Sequence, residues 1–145
     1  MRLPYRILEN VATADIAFEA WGNNLEEIFR AGADAVLGIM IDNPESIARK
    51  ERRNVSLSDP EIDMLFFDFL NEFIYFKDAE FLLLRPEEIK VFDEKAGKKI
   101  SAVLAGETLD PGRHHMHVDV KAVTLHRFDL SRGDGGWRAF VILDI

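Results

Sequence analysis

Residues 62–77 constrain the fold more than any other stretch. Ile62, Leu65, Phe66, Phe69, Leu70, Phe73 and Ile74 recur at i, i+3, i+4 and i+7, the period of an α-helix with a continuous apolar stripe. Ser58-Asp59-Pro60 ahead of them predicts the helix start, with Asp59 as N-cap and Pro60 at the first helical position. The pattern holds to about Lys77. Phe67, Tyr75 and Phe76 widen the stripe beyond what one sheet face needs, which predicts a helix packed on two sides. Asn71 and Glu72 fall between the apolar positions, where solvent or a partner would meet them.

A second helix is predicted upstream. Asn24 precedes Leu25-Glu26-Glu27 at capping-box spacing, and Leu25, Ile28, Phe29, Gly32, Val36 and Ile39 follow on one stripe until Asn43-Pro44 closes the segment. The rest of the chain is β-rich. Leu3 to Leu8 is short and Pro-bounded, an edge-strand pattern. From Ile16 to Trp21, Ile16, Phe18 and Ala20 alternate with Ala17, Glu19 and Trp21, a strand with one buried and one amphipathic face. Ala48 to Leu57 begins with a charged run and then alternates, an exposed strand whose charges discourage edge pairing. Strands are also expected over residues 81–84, 89–92, 100–106, 118–130 and 137–145. Turns are expected at Lys95-Ala96-Gly97-Lys98, Asp110-Pro111-Gly112 and Gly133-Asp134-Gly135-Gly136. Two main helices packed on a mostly antiparallel sheet give an α+β architecture, and the 145 residues suit one domain over 1–145. Without βαβ alternation, a doubly wound nucleotide-binding fold is not expected.

Charge and cysteine content narrow the chemistry. The balance of 18 cationic and 26 anionic side chains, −8 net, repels a nucleic-acid duplex overall and favours a partner with a basic surface. The absence of cysteine removes disulfides, thiolate metal sites and thiol nucleophiles. No apolar run suits a bilayer span, and Met1 to Arg6 has no signal-like core, so a cytoplasmic protein is expected. Gly-rich phosphate loops, nucleophile elbows and metalloprotease helices are missing from the sequence.

The polar features are few. His114, His115 and His117 cluster, and His115 and His117 would share a strand face. Imidazoles bind zinc, but no fourth ligand lies at recognisable spacing, so a solvated turn is expected. Lys121, Val123 and Leu125 share one face of the 118–130 segment, and Ala122, Thr124 and His126 the other. Lys121 could snorkel to solvent or anchor a phosphate or carboxylate; His126 reads first as a hydrogen-bonded structural residue. Asp15, at the mouth of its strand, could cap a turn over Val11 to Ala14 or offer hard oxygens to a cation. The apolar ending Trp137 to Ile145 reads as a central strand, which places Asp144 and the Ile145 carboxylate together. If the Asp15 strand lies alongside, three carboxyl groups meet and repel unless a divalent cation sits among them or one is protonated.

Thr13-Ala14-Asp15-Ile16 with Phe18-Glu19-Ala20-Trp21-Gly22, Leu70-Asn71-Glu72 followed by Tyr75, Gly106-Glu107, Val120-Lys121-Ala122-Val123-Thr124 with His126, and Gly136-Trp137 followed by Ile142-Leu143-Asp144-Ile145 together resemble the archease family over essentially the whole chain. Archeases are protein cofactors of the RtcB-type RNA ligase, which joins RNA ends in tRNA splicing and repair using GTP and metal. The resemblance implies a non-enzymatic activator that promotes guanylylation and further turnover of that ligase. It implies a divalent cation, calcium first and magnesium or manganese next, at Asp15, Asp144 and Ile145, and a functional Lys121. His126 is a further candidate for partner or phosphate contact. One departure is Ala12, where the family usually has His. The residues by themselves also leave room for a metal-dependent phosphate-ester hydrolase using Asp15 and Asp144, or a chaperone-like module built on Phe66, Phe67 and Phe76.

Overall fold

The computed structural model describes residues 3–12 and 15–145. Thr13 and Ala14, in the turn expected over Val11 to Ala14, lie outside the described residues, and Val11 and Ala12 end β1. In chain order the elements are β1 (Tyr5–Ala12), β2 (Asp15–Gly22), α1 (Leu25–Met40), β3 (Glu51–Asp59), α2 (Ile62–Glu80), β4 (Leu82–Glu94), β5 (Gly97–Thr108), β6 (Ala122–Val123), β7 (Asp129–Gly133) and β8 (Gly136–Asp144). The class is the expected α+β, with one difference. The strands form two antiparallel sheets: a five-stranded one ordered β1-β2-β8-β6, with β7 also on β8, and a three-stranded one ordered β3-β5-β4. Among the described residues both helices touch strands of each sheet, and the strands of the two sheets do not touch each other. The helix pair therefore forms the middle layer, which explains why α2 is apolar on two sides.

Helix α1 begins as its spacing predicts. Asn24 Oδ1 accepts the Glu27 N–H at 2.9 Å, and Glu27 reaches back to the Asn23 N–H at 3.2 Å. Helix α2 begins later than expected. Asp59 is the last residue of β3, and its carboxylate accepts the Glu61 N–H at 2.9 Å in a tight turn instead of capping the helix. Lys98-to-Asp59 pairing holds Asp59 in the strand ladder, and that tertiary bond outcompetes local capping. The helix runs to Glu80 and closes on Phe81 in the left-handed conformation.

The core is aromatic around the helix contact. Phe29 meets Phe66 and Phe69 at ring-centroid distances of 5.0 and 5.7 Å, and Phe69 meets Phe73 edge-on at 5.1 Å. Gly32 leaves room for this packing, since a Cβ there would lie 2.6 Å from the Phe66 ring. Phe66 and Phe76 are thus buried, and they offer no open face to a client chain. The segments expected over 81–84 and 89–92 are one strand, β4, with a bulge at Pro86/Glu88. The bulge absorbs Pro86, which lacks an N–H for the ladder. The charged start of β3 is paired: Arg52 holds Glu87 at 2.8 Å and Arg53 holds Glu80 at 2.9 Å.

Residues 118–130 depart most from expectation. In place of one long strand there are the two-residue β6, a turn closed by Phe128 N–H to Leu125 O at 3.1 Å, and then β7. Leu125 and His126 are exposed in that turn, so His126 is neither on a strand nor hydrogen-bonded in the core. Apolar alternation marks both strands and turn-borne anchors such as Phe128, which packs on Phe66 and Phe67 at 6.0 and 5.5 Å.

Candidate metal and partner site at the carboxylate end of the five-stranded sheet

Strands β2 and β8 run antiparallel in unbroken register from Gly22↔Trp137 to Asp15↔Asp144. The register follows from burial. Ile16, Phe18 and Ala20 must face the helices with Leu143, Val141 and Ala139, and a slip of one residue would turn one strand's three to the wrong side. That same register sets Asp15 opposite Asp144 on the face turned away from the helices. Directly opposed residues have their Cβ atoms about 4.5–5.5 Å apart. Asp144 is exposed and Asp15 half-buried, and neither carboxylate has an ion-pair partner among the described residues. Ile145 follows at once and packs partly buried against the core.

The third strand of the site is β6, with Ala122 opposite Asp144. The Lys121 N–H donates to the Asp144 carbonyl at 2.8 Å, which places Lys121 beside the two aspartates with its side chain exposed. A two-residue strand holds this position only because its surroundings anchor it. Asn71 Oδ1 of α2 accepts the Val123 N–H at 3.2 Å, and Asn71 Nδ2 donates to Phe67 O at 3.2 Å. Asn71 is therefore a tie between α2 and the site, not a solvated surface residue. Lys77, 5% exposed, donates to Asp119 Oδ1 at 2.5 Å and Val120 O at 3.0 Å. Its sequence signal was its place on the buried stripe, four residues after Phe73.

A second anchor fixes the loop that leads to Lys121. Glu107, at the end of β5, has a side chain only 6% exposed. It accepts the Ala48 N–H at 2.7 Å and contacts His114 Nε2 at 3.1 Å and the Arg113 guanidinium. The Asp110 N–H donates to His114 Nδ1 at 2.9 Å, so the proton of the neutral ring lies on Nε2 and is donated to Glu107. Burial pushes the Glu107 carboxyl up. The Ala48 N–H, His114 and Arg113 together overcome that and hold it at about 2. His114 is therefore a buried structural residue, which corrects the expected solvated turn. Gly106 permits this arrangement, because a Cβ there would sit 1.7 Å from Leu83 O.

His115 and His117 are exposed, and their Nδ1 atoms face Asp42 at 2.6 and 3.5 Å. Among the described residues no three His, Asp or Glu side chains are placed to hold a metal ion. Replacing His115 and His117 together by Asn is expected to leave both bound zinc and partner activity unchanged, measured by metal analysis and ligation assay. A parallel loss of both would show that they form a metal site.

For a cation between Asp15 and Asp144, a third oxygen donor would come from the carboxylate of a chain ending at Ile145. Carboxylate oxygens alone are a hard donor set, suited to calcium, magnesium or manganese and ill-suited to soft metals. Two facing carboxylates that make no ion pair among the described residues fit such an ion. Among the described residues no helix is long and apolar enough to cross a membrane.

Residues 5–145 match the model of the Archease protein family. Relatives named "Protein archease" include one from Pyrococcus abyssi, 35% identical over 92% of this chain and 94% of its own. Another, from Methanosarcina acetivorans, is 35% identical over 97% and 95%, and one from Archaeoglobus fulgidus is 34% identical over 99% and 100%. The solution structure of Methanobacterium thermoautotrophicum protein 1598 superposes with a TM-score of 0.85 at 30% identity, covering 99% of this chain and 100% of that one. With the family model spanning nearly the whole chain and these relatives well above the level at which a shared fold alone would be inferred, the chain belongs to the archease family.

Proposed function

We propose that this protein activates an RtcB-type GTP-dependent RNA ligase in tRNA splicing or RNA repair, promoting its guanylylation and repeated turnover, and is not itself an enzyme. The observation that carries the reading is the Asp15↔Asp144 register at an open sheet end, flanked by Lys121. Asp15, Asp144 and the Ile145 carboxylate would hold a divalent cation, calcium first, with magnesium or manganese as the alternatives. Bound there, such an ion would supply Lewis-acid stabilisation of charge on phosphoryl oxygens.

The residues themselves divide the work. Three carboxylates near a nucleotide would repel its phosphates, so they help only by holding or placing positive charge. Lys121, exposed beside them, would contact a phosphate or the ligase directly. His126 stands exposed in the neighbouring turn, where a partner's surface can reach it. The Lys77 and Asn71 anchors and the Glu107 cluster keep β6 in place, so docking does not have to order it.

The test is multiple-turnover RNA ligation by the cognate ligase, with and without substoichiometric protein. Faster turnover only when both are present supports the reading. Phosphate-ester hydrolysis by the protein alone would instead support a metal-dependent hydrolase.

A further inference from the structure

We infer that Thr124 is a positioning residue of the carboxylate site: its hydroxyl donates a hydrogen bond to Asp144 when a divalent cation is held there. The inference rests on the cation reading given above and adds a residue to it.

Thr124 stands just past β6. Its N–H donates to the Ile142 carbonyl at 3.0 Å, which carries the ladder with β8 one step beyond Val123↔Leu143. Val123 is buried in the core, so Thr124, the next residue, is turned to the outer face of the sheet. There it shares a row with Ile142 and Ala17. The adjoining row holds Ala122, Asp144 and Asp15. Thr124 and Asp144 are therefore diagonal neighbours on one face. Such pairs have their Cβ atoms about 7–8 Å apart, within reach when the two side chains turn toward each other. Ala122, directly across from Asp144, carries only a methyl and puts no polar group between them.

The hydroxyl is the unusual part. Thr124 as a residue is half-buried, yet its Oγ1 is sealed from solvent and has no hydrogen-bond partner, the one such side-chain atom among the described residues. A threonine at a sheet edge can turn its hydroxyl to water, whereas burying it unpaired costs free energy. Its own row supplies no partner, since Ile142 and Ala17 are apolar and 2% and 0% exposed. The carboxylates on either side of that row differ. On one side Glu19 is held by Arg6 at 3.1 Å, and Asp129 accepts the Ser131 hydroxyl at 3.1 Å. On the other, the Asp144 side chain makes no ion pair or hydrogen bond among the described residues. Asp144 is the acceptor left for Thr124.

A hydroxyl donor suits an ion-bearing carboxylate. Carboxylates that ligate a metal are themselves steadied by hydrogen bonds, and such outer partners are worth about 10–100-fold in metal affinity. A neutral donor also eases the repulsion between Asp15 and Asp144 without bringing a charge that competes with the cation. A lysine or arginine in the same place would compete.

The test is calorimetric titration of the full chain with calcium and, separately, with manganese, alongside thermal melting without metal. Thr124→Val removes the hydroxyl and nearly keeps the shape. It is expected to melt at or above the parent temperature, because an unpaired buried polar group is gone. It should nevertheless bind the cation at least about tenfold more weakly. Thr124→Ser keeps the hydroxyl and gives up a methyl, so it should melt lower yet bind close to the parent's affinity. A merely structural threonine would not give this crossing of stability and affinity. Equal binding by the parent and Thr124→Val, or loss of binding in Thr124→Ser as large as in Thr124→Val, would overturn the inference and leave the carboxylate site standing. A parent that binds neither metal would overturn both.

Discussion

Asp15→Ala and Asp144→Ala are each expected to reduce ligase activation to the level of the ligase alone, with melting temperature within about 2 °C of the parent. Both side chains lie on the sheet face away from the helices, where neither makes an ion pair among the described residues. Removing either one takes nothing from the core and relieves like-charge repulsion, so a stability loss would be surprising. Activity is a different matter, because an ion held by three carboxylates is not held by two of them in the same geometry. A tail of a few residues after Ile145 should be as damaging as either aspartate change. It converts an anionic carboxylate into an amide, while the Ile145 side chain can stay packed where it is. Ligation assays and metal titration of the parent, the two alanine variants and the tailed protein decide the point. Full activity with the tail in place would remove Ile145 from the site and with it the three-carboxylate arrangement.

The second large effect concerns stability. Glu107→Ala should destabilise the fold by about 2–4 kcal/mol at neutral pH, because it strands the buried His114 N–H and the Ala48 N–H together. Glu107→Gln should be milder, since an amide oxygen can still accept from them. A carboxyl held at about 2 instead of 4.5 contributes on the order of 3 kcal/mol of pH-dependent stability. Its pKa is depressed on folding, so that contribution is full above about pH 4.5 and is lost as pH falls through about 2. The gap in unfolding free energy between parent and Glu107→Gln should accordingly narrow from pH 5 to pH 2, as read by urea unfolding. A gap constant with pH would mean the carboxylate is not charged and paired as its surroundings require. The loop anchored by Glu107 leads to Lys121, so Glu107→Ala should also lower ligase activation at temperatures where the protein remains folded.

Local sequence determined the elements whose signals are local. The stripe from Ile62 to Ile74 fixed α2, and the Asn24–Glu27 spacing fixed the start of α1. The alternation from Ile16 to Ala20 chose which face of β2 is buried, and with it the side on which Asp15 stands. The archease resemblance named Asp15, Asp144, Ile145 and Lys121, and the β2–β8 register then placed the two aspartates opposite each other. What only the tertiary structure decided depends on partners distant in sequence. Asp59 looks like a helix cap until Lys98 claims it for a strand. His114 looks solvated until Glu107 buries beside it. Asn71 looks like a surface residue, and Lys77 like the end of the stripe, until the 118–130 segment folds onto α2 and uses them. The splitting of the strands into two sheets around a helix pair has the same origin. Periodicity reports which side of an element is apolar, but not which of the apolar surfaces available elsewhere in the chain will cover it.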